Sequence, residues 1–91
     1  MKYISTLREG ERINEIFLCK SKQAAMTKNG KPYDNVILQD KTGTLDAKIW
    51  DVGSVGIEEF EAMDYIAITG DITSFQGNLQ CSIKRARKVS E

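Results

Sequence analysis

Few side chains in this sequence could carry out covalent or metal chemistry. The 91 residues include no histidine, two cysteines and one tryptophan. Without histidine there is no Ser-His-Asp or Cys-His pair to activate a nucleophile, and no histidine-ligated metal. Two thiols fall short of the four ligands of an all-cysteine zinc site. The glycines are scattered singly, so neither a phosphate-binding loop nor a dinucleotide fingerprint is present. We therefore expect a binding protein without catalytic residues, metal or cofactor.

The two cysteines and the hydropathy pattern indicate the cellular location of the protein. Cys19 and Cys81 each lie among apolar residues, which is typical of reduced thiols that fill a core in a reducing compartment. No apolar run approaches the roughly 18–20 residues that span a bilayer. The N-terminus also lacks the apolar core of a secretory signal. We expect a cytoplasmic protein that does not associate with membranes.

Charges are segregated along a chain whose formal net charge is zero. Two stretches contain basic residues and no acid: Lys20, Lys22, Lys28 and Lys31, then Lys84, Arg85, Arg87 and Lys88. The intervening acidic stretch contains no base: Asp51, Glu58, Glu59, Glu61 and Asp64. If the basic stretches converge in space, they form a positive face suited to a polyanion. Alternatively, they are solvated strand ends and loops.

Alternation of apolar and polar residues predicts five strands and one short helix. The predicted strands cover residues 13–25, 33–39, 45–51, 65–73 and 79–85. Asn29-Gly30 is a strong hairpin signal between the first two strands. The continuous apolar run from Ile16 to Cys19 predicts that both faces of the first strand are covered there. Ser54 is expected to cap a short helix with Ile57 and Phe60 on one face.

This order of elements predicts an all-β OB-fold, a five-stranded Greek-key barrel with a short helix between strands 3 and 4. The whole chain, residues 1–91, forms one domain in this prediction. Residues 1–10 are a lead-in whose single helical turn places Ile4 and Leu7 over the core, and residues 85–91 are a tail. An SH3-like barrel is the nearest alternative, but its strands are shorter and no helix is expected at this place.

The predicted barrel places a set of aromatic, amide and lysine side chains on its outer surface. In OB-folds the second and third strands form the binding face, and the first-to-second and fourth-to-fifth strand loops flank it. Rings stack on bases, amides reach base edges and ammonium groups follow phosphates. The candidate nucleic-acid-binding residues are Tyr33, Asn35, Ile37, Lys48, Trp50, Phe75, Gln76, Asn78, Lys20, Lys22, Lys28 and Lys31. For Trp50 the alternative is a core aromatic folded over one end of the barrel.

Three segments resemble the N-terminal OB domain of the YhaM-type 3′–5′ exoribonucleases, also called cmp-binding factors. They are residues 17–23, 38–51 and 70–77, and the middle segment, which runs Leu-Gln-Asp-Lys-Thr-Gly-Thr-Leu-Asp-Ala-Lys-Ile-Trp-Asp, is the most specific. The likeness extends over nearly the whole chain. Met63 departs from it, because such domains often carry a turn-forming glycine there.

The resemblance implies a role as well as a fold. In that family an HD-type, metal-dependent domain follows and hydrolyses RNA through histidine and aspartate ligands. This chain has no histidine, so the activity does not carry over to it. The resemblance therefore implies the substrate-binding domain of a bacterial, cytoplasmic exoribonuclease, acting in cis with an HD-type nuclease domain. The tail at 85–91 would begin the linker to that domain.

The leading expectation is a non-catalytic module that binds single-stranded RNA, or DNA, with little sequence preference. Two or three stacked bases contribute roughly 1–3 kcal/mol each, against an association cost of roughly 4–15 kcal/mol. Binding should therefore be micromolar or weaker. The alternative from another class is a protein-docking or weak homo-oligomerisation module, favoured by the neutral charge and by outward Ile37 and Trp50. Carbohydrate binding is also open on grounds of fold.

Overall fold

The computed structural model describes residues 3–89. Residues 1, 2, 90 and 91, which belong to the predicted lead-in and tail, lie outside the described residues. The strands are β1 (Arg12–Met26), β2 (Pro32–Asp40), β3 (Gly43–Ile49), β4 (Tyr65–Phe75) and β5 (Asn78–Lys88). A 3₁₀ turn at Ile4–Thr6 precedes them, with Ile4 and Leu7 buried as predicted. Between residues 3 and 89 there is no helix with the length and apolarity needed to traverse a bilayer.

The five strands close into one barrel in the order β1-β2-β3-β5-β4. All neighbours are antiparallel except β3 and β5, which pair in parallel. The long strand β1 pairs with two neighbours: its first half pairs with β4 and its second half with β2. A bulge between Cys19 and Ser21 bends it between these partners, as bulges do where a strand changes direction. The predicted all-β, five-stranded OB-fold is confirmed.

Alternate residues of every strand point into the barrel and form its core. The fully or nearly fully buried strand residues are Ile13, Phe17, Cys19, Val36, Leu38, Leu45, Ala47, Ile49, Ile66, Ile68, Ile72, Cys81, Ile83 and Ala86. Both cysteines are free and buried, and burial, with a smaller contribution from Asp71, raises the pKa of the Cys81 thiol to about 12. The predicted double coverage of residues 16–19 is wrong. Alternation continues through that run and leaves Ile16 52% exposed.

The predicted helix between the third and fourth strands is absent, which corrects one detail of the predicted fold. Instead, Ile57 forms a parallel bridge with Ala86 of β5. The Glu58 N–H donates to the Ala86 carbonyl at 2.8 Å, and the Ala86 N–H donates to the Gly56 carbonyl at 3.0 Å. These bonds tie the segment to β5 after two turns that are closed by Ser54 N–H to the Asp51 carbonyl and Ile57 N–H to the Ser54 carbonyl, and the glycines of this segment weaken the competing helix by about 1 kcal/mol each. Phe60 is nevertheless buried at the core, as its predicted inward orientation required.

Pairing with β4 also carries β5 beyond its predicted end near residue 85. Ala86 lies opposite Ile68 and fills the core, and the ladder continues to Lys88, which lies opposite Ile66. The first residues assigned to the tail therefore belong to the barrel.

Met63 adopts a backbone conformation that usually selects glycine. Its φ is 75°, a left-handed geometry that costs a non-glycine residue roughly 1–2 kcal/mol. The corner is held because the Met63 N–H donates to the Cys19 carbonyl at 2.6 Å, while the Cys19 N–H donates to the Asp64 carbonyl at 2.8 Å. The Met63 side chain lies at the surface, 68% exposed. The place where the sequence departs from the resembled family is thus a turn that requires positive φ.

The carboxylate of Asp40 ties the 3₁₀ turn to the β2–β3 turn. It accepts hydrogen bonds from the Ile4 N–H at 2.8 Å, the Thr42 N–H at 2.7 Å and the Thr42 hydroxyl at 2.6 Å. Burial alone would raise the pKa of Asp40, but the bonds from Thr42 and the backbone outweigh it, and the pKa is lowered. The ionised carboxylate therefore stabilises the folded state.

Asp40→Ala should lower the free energy of unfolding by about 2 kcal/mol at neutral pH, since hydrogen bonds to a charged group are worth roughly 1.5–3 kcal/mol. A carboxyl whose folded-state pKa is lowered contributes stability above its unfolded pKa, near 3.9, and loses it as pH falls through the folded pKa. The difference in the free energy of unfolding between wild type and Asp40→Ala should therefore become smaller toward pH 2–3. Urea unfolding at pH 7 and pH 3 measures this difference. Asp46→Ala is the control, because Asp46 is exposed. Equal losses for both variants would contradict the role of Asp40.

Candidate nucleic-acid interface

Tyr33 and Trp50 form an aromatic pair on the outside of the barrel. Asp34 of β2 lies opposite Ile49 of β3, so the residues just outside that pair, Tyr33 and Trp50, meet on the opposite side of the sheet. Their ring centroids are 5.0 Å apart and the planes are tilted by 38°. Trp50 retains 39% of its surface exposed. A ring held by a neighbour and open on its other side is a suitable stacking platform for a planar ligand.

Polar residues continue this surface along the middle of β2 and β3. Asn35 lies opposite Lys48 and Ile37 opposite Asp46, and Asn35, Ile37 and Lys48 are half-buried. The Asn35 Oδ1 is buried and has no hydrogen-bond partner among residues 3–89. An unsatisfied buried acceptor costs roughly 1–3 kcal/mol, and such groups are few in folded proteins.

The β1–β2 turn carries two lysines beside the aromatic pair. The Gly30 N–H donates to the Thr27 carbonyl, and the Thr27 N–H donates to the Lys31 carbonyl, each at 2.9 Å. Gly30 supplies the positive φ of 82° that this turn requires. Lys28 and Lys31 are exposed. Because Ala25 lies opposite Tyr33, these lysines belong to the end of the face that carries the aromatic pair.

The β4–β5 hairpin lies at the other end of the face. Phe75 and Asn78 close a two-residue turn in which Gln76 and Gly77 have φ values of 52° and 83°, as in the turns that match the twist of a hairpin. The parallel pairing of Asp46 with Gln80 sets this turn beside the start of β3. At about 3.3 Å per residue, it stands on the order of 20 Å from Trp50. Phe75 is 61% exposed, so the face has a second aromatic platform at its far end.

The structure separates two lysines that the sequence places together. Lys20 occupies the bulge of β1 and is exposed. Lys22 lies opposite the inward residue Val36, so it is turned away from the face. Its Nζ donates to the Phe60 carbonyl at 2.8 Å, lies 4.2 Å from the Phe60 ring centroid and 4.0 Å from the Asp34 carboxylate. Contrary to the prediction, Lys22 anchors the 50–64 segment instead of joining the candidate face.

Two residues extend the face beyond the predicted set. Gln80 and Ser82 of β5 lie beside Asp46 and Lys48 through the parallel β3–β5 pairing. Alternation within β5 predicts that both point outward, but no local sequence signal indicates which strand lies beside them. Between residues 3 and 89, no three His, Cys, Asp or Glu side chains are grouped so as to hold a metal ion.

The strand order and closure define this chain as an OB-fold domain, with aromatic, amide and lysine side chains on the outer face of β2 and β3. No protein-family model matches the chain. The second OB-fold domain of replication protein A from Methanococcus maripaludis is similar, with 20% identity and a TM-score of 0.64 over 99% of this chain and 95% of that one. The hypothetical protein ygiW from E. coli has 16% identity and a TM-score of 0.62 over 93% and 82%. At these identities the similarity establishes the fold.

Proposed function

We propose that this domain binds single-stranded nucleic acid, preferring RNA, through the outer face of β2 and β3, and that it is not itself an enzyme. The observation that carries the proposal is the Tyr33–Trp50 pair, which offers a partly open indole beside lysines that form no ion pair within residues 3–89. The similarity to an OB-fold domain of a replication protein is consistent with this role.

The geometry divides the work of binding among three kinds of side chain. One base stacks on Trp50, which Tyr33 supports, and another stacks on Phe75 at the far end of the face. The exposed amides of Gln76 and Asn78 reach base edges beside the far platform, and half-buried Asn35 lines the face between the platforms. Lys28, Lys31 and Lys48 contact phosphates, and Lys20 adds positive charge at the edge. Because every base has a stackable face, such a site has little sequence preference.

The likeness to YhaM-type exoribonucleases supports the finer form of the proposal. In that form, the domain holds RNA for an HD-type nuclease domain in cis, in a bacterial cytoplasm. Two buried free thiols suit a reducing compartment. Weak binding by this domain alone suits that arrangement, because tethering to a second domain supplies effective concentration.

The proposal predicts salt-sensitive quenching of the single tryptophan. Titration with a short oligouridylate should quench Trp50 with an affinity in the micromolar range or weaker. Three phosphate contacts give a slope of log K against log salt of about −2, at roughly 0.7 per contact. A matched deoxy-oligomer tests the preference for RNA. A folded protein with neither quenching nor bound oligomer at low salt would contradict the proposed function.

A second candidate function, protein docking or self-association, is favoured by a separate apolar groove of about 580 Å³ that includes Tyr3, Ile16, Leu18 and Tyr65. Ile16 and Tyr65 are 52% and 47% exposed. Association through such a surface is driven by apolar burial and is little affected by salt, whereas nucleic-acid binding weakens steeply as salt rises. Sedimentation of the domain at two salt concentrations would detect a second copy bound in this groove.

A further inference from the structure

The second basic stretch of the sequence is displayed on the outside of β5 by a bulge. Thr69 of β4 lies opposite Arg85 and Gly70 lies opposite Ile83, which leaves Lys84 without a partner in the ladder. Beyond the bulge Ala86 points into the core, at 2% exposure. Arg85 and Arg87 therefore point outward. Bulges of this kind often re-aim side chains next to functional sites.

Three of these basic residues form no ion pair within the described part of the chain. Lys84, Arg85 and Arg87 are exposed, and no ion pair joins them to an acid among residues 3–89. Lys88 differs, because its Nζ lies 3.7 Å from the Asp64 carboxylate. The available positive charge is therefore concentrated at residues 84–87.

Arg85 and Arg87 line a groove of about 420 Å³ between the 55–58 segment and the outer surface of β1 and β4. Asn14 and Thr69 line the same groove and add an amide and a hydroxyl. Gly56 lies against the Arg85 stem, since a Cβ at that position would stand only 3.2 Å from the Arg85 Cγ. Guanidinium, amide and hydroxyl groups together are the donors that contact phosphate oxygens.

One acid also lines this groove and limits how much negative charge it can accept. Glu58 belongs to the lining, and its Oε1 accepts a hydrogen bond from the Lys88 N–H at 3.1 Å. The remaining balance of charge, two arginines against one glutamate, suits one or two phosphodiester groups.

The β3–β5 pairing connects the groove with the aromatic pair. Lys48 of β3 lies next to Ser82 of β5, and both chains run in the same direction from that pair, β3 to Trp50 and β5 to Lys84 and Arg85. At a rise of about 3.3 Å per residue, Trp50 and Arg85 both lie within roughly 10 Å of that pair along the strand direction. A strand stacked on Trp50 and running away from Phe75 is therefore directed toward the part of β5 that carries Lys84 and Arg85.

We propose that the groove lined by Arg85 and Arg87 is a second phosphate-binding subsite, which holds the backbone of a bound single strand beyond the base stacked on Trp50. This inference rests on the proposed function and deepens it. Binding then involves two surfaces. Bases stack on the face of β2 and β3, and the groove contacts only the sugar-phosphate backbone of the bound strand. The groove adds affinity for strands long enough to reach it.

Oligomer length provides the test. The double variant Arg85→Ala/Arg87→Ala is compared with Arg8→Ala/Lys41→Ala, which removes the same charge from two exposed residues that do not line the groove. Binding of four- and ten-nucleotide oligouridylates is followed by Trp50 quenching at several salt concentrations. For the longer strand the groove variant should bind about tenfold more weakly, with the salt slope reduced by about 1.4, at roughly 0.7 per lost phosphate contact.

For the four-nucleotide strand, the groove variant should keep its affinity within about twofold and its full quenching. Equal losses in the groove and control variants, or equal losses at both lengths, would overturn the subsite while leaving the proposed function standing. Wild-type protein that binds neither oligomer would contradict the proposed function itself. Thermal unfolding of each variant confirms that the substitutions leave the barrel folded.

Discussion

Gly70→Ala is expected to destabilise the barrel by at least about 3 kcal/mol, because it forces atoms into a closely packed site. Gly70 lies opposite Ile83 where the β4–β5 ladder changes register. A Cβ there would stand 2.5 Å from the Ser82 carbonyl oxygen, 2.8 Å from the Cys81 Sγ and 3.2 Å from the Ile83 Cα. Two of these three atoms belong to the backbone, so rotation of a side chain cannot relieve the overlap.

For a domain of this size, each kcal/mol shifts the melting temperature by roughly 4–8 °C, so Gly70→Ala should lower it by about 12–24 °C. Gly53→Ala is the matched control, since nothing lies within 4 Å of its added Cβ. Cys81→Ala combined with Gly70→Ala removes the sulfur contact alone, and we expect little recovery. A melting temperature within a few degrees of wild type for Gly70→Ala would show that β4 and β5 can separate at the bulge.

Removing the two aromatic platforms should abolish most nucleic-acid binding without unfolding the domain. Stacking is worth roughly 1–3 kcal/mol per base, and about 1.4 kcal/mol is tenfold in affinity. Trp50→Ala combined with Phe75→Ala should therefore weaken binding by about 100-fold or more for oligomers that span the face. Both rings are exposed, at 39% and 61%, so their loss leaves the core intact.

This experiment requires a labelled oligomer and fluorescence anisotropy, because the variant lacks the only tryptophan. Tyr65→Ala is the matched control: it removes a ring that is 47% exposed and lies in the apolar groove, away from the candidate face. We expect it to bind within about twofold of wild type. A folded double variant that keeps its affinity would move the binding site elsewhere. A loss confined to Tyr65→Ala would place it in the apolar groove.

The candidate face was largely predictable because strand geometry is local. Once Val36 and Leu38 are inward, the pleat requires Asn35 and Ile37 to point outward, and the structure agrees. The same reasoning failed for the helix predicted after Ser54. The Ala86 backbone groups that bond Gly56 and Glu58 on either side of Ile57 are about thirty residues further along the chain. A local helix signal contains no information about a hydrogen-bonding partner as distant in sequence as Ala86.

The sequence by itself determined the five strands, the hairpin turns, most of the inward residues and the absence of histidine chemistry, since these depend on residue type and short-range spacing. Tertiary structure decided which charged residues share a surface. A bulge shifts the alternation by one residue, and its position depends on the partner strand. The bulge after Cys19 leaves Lys20 exposed and turns Lys22 toward Phe60, and the bulge at Lys84 turns Arg85 outward. Those two shifts move one predicted lysine off the face and turn Arg85 and Arg87 outward from β5.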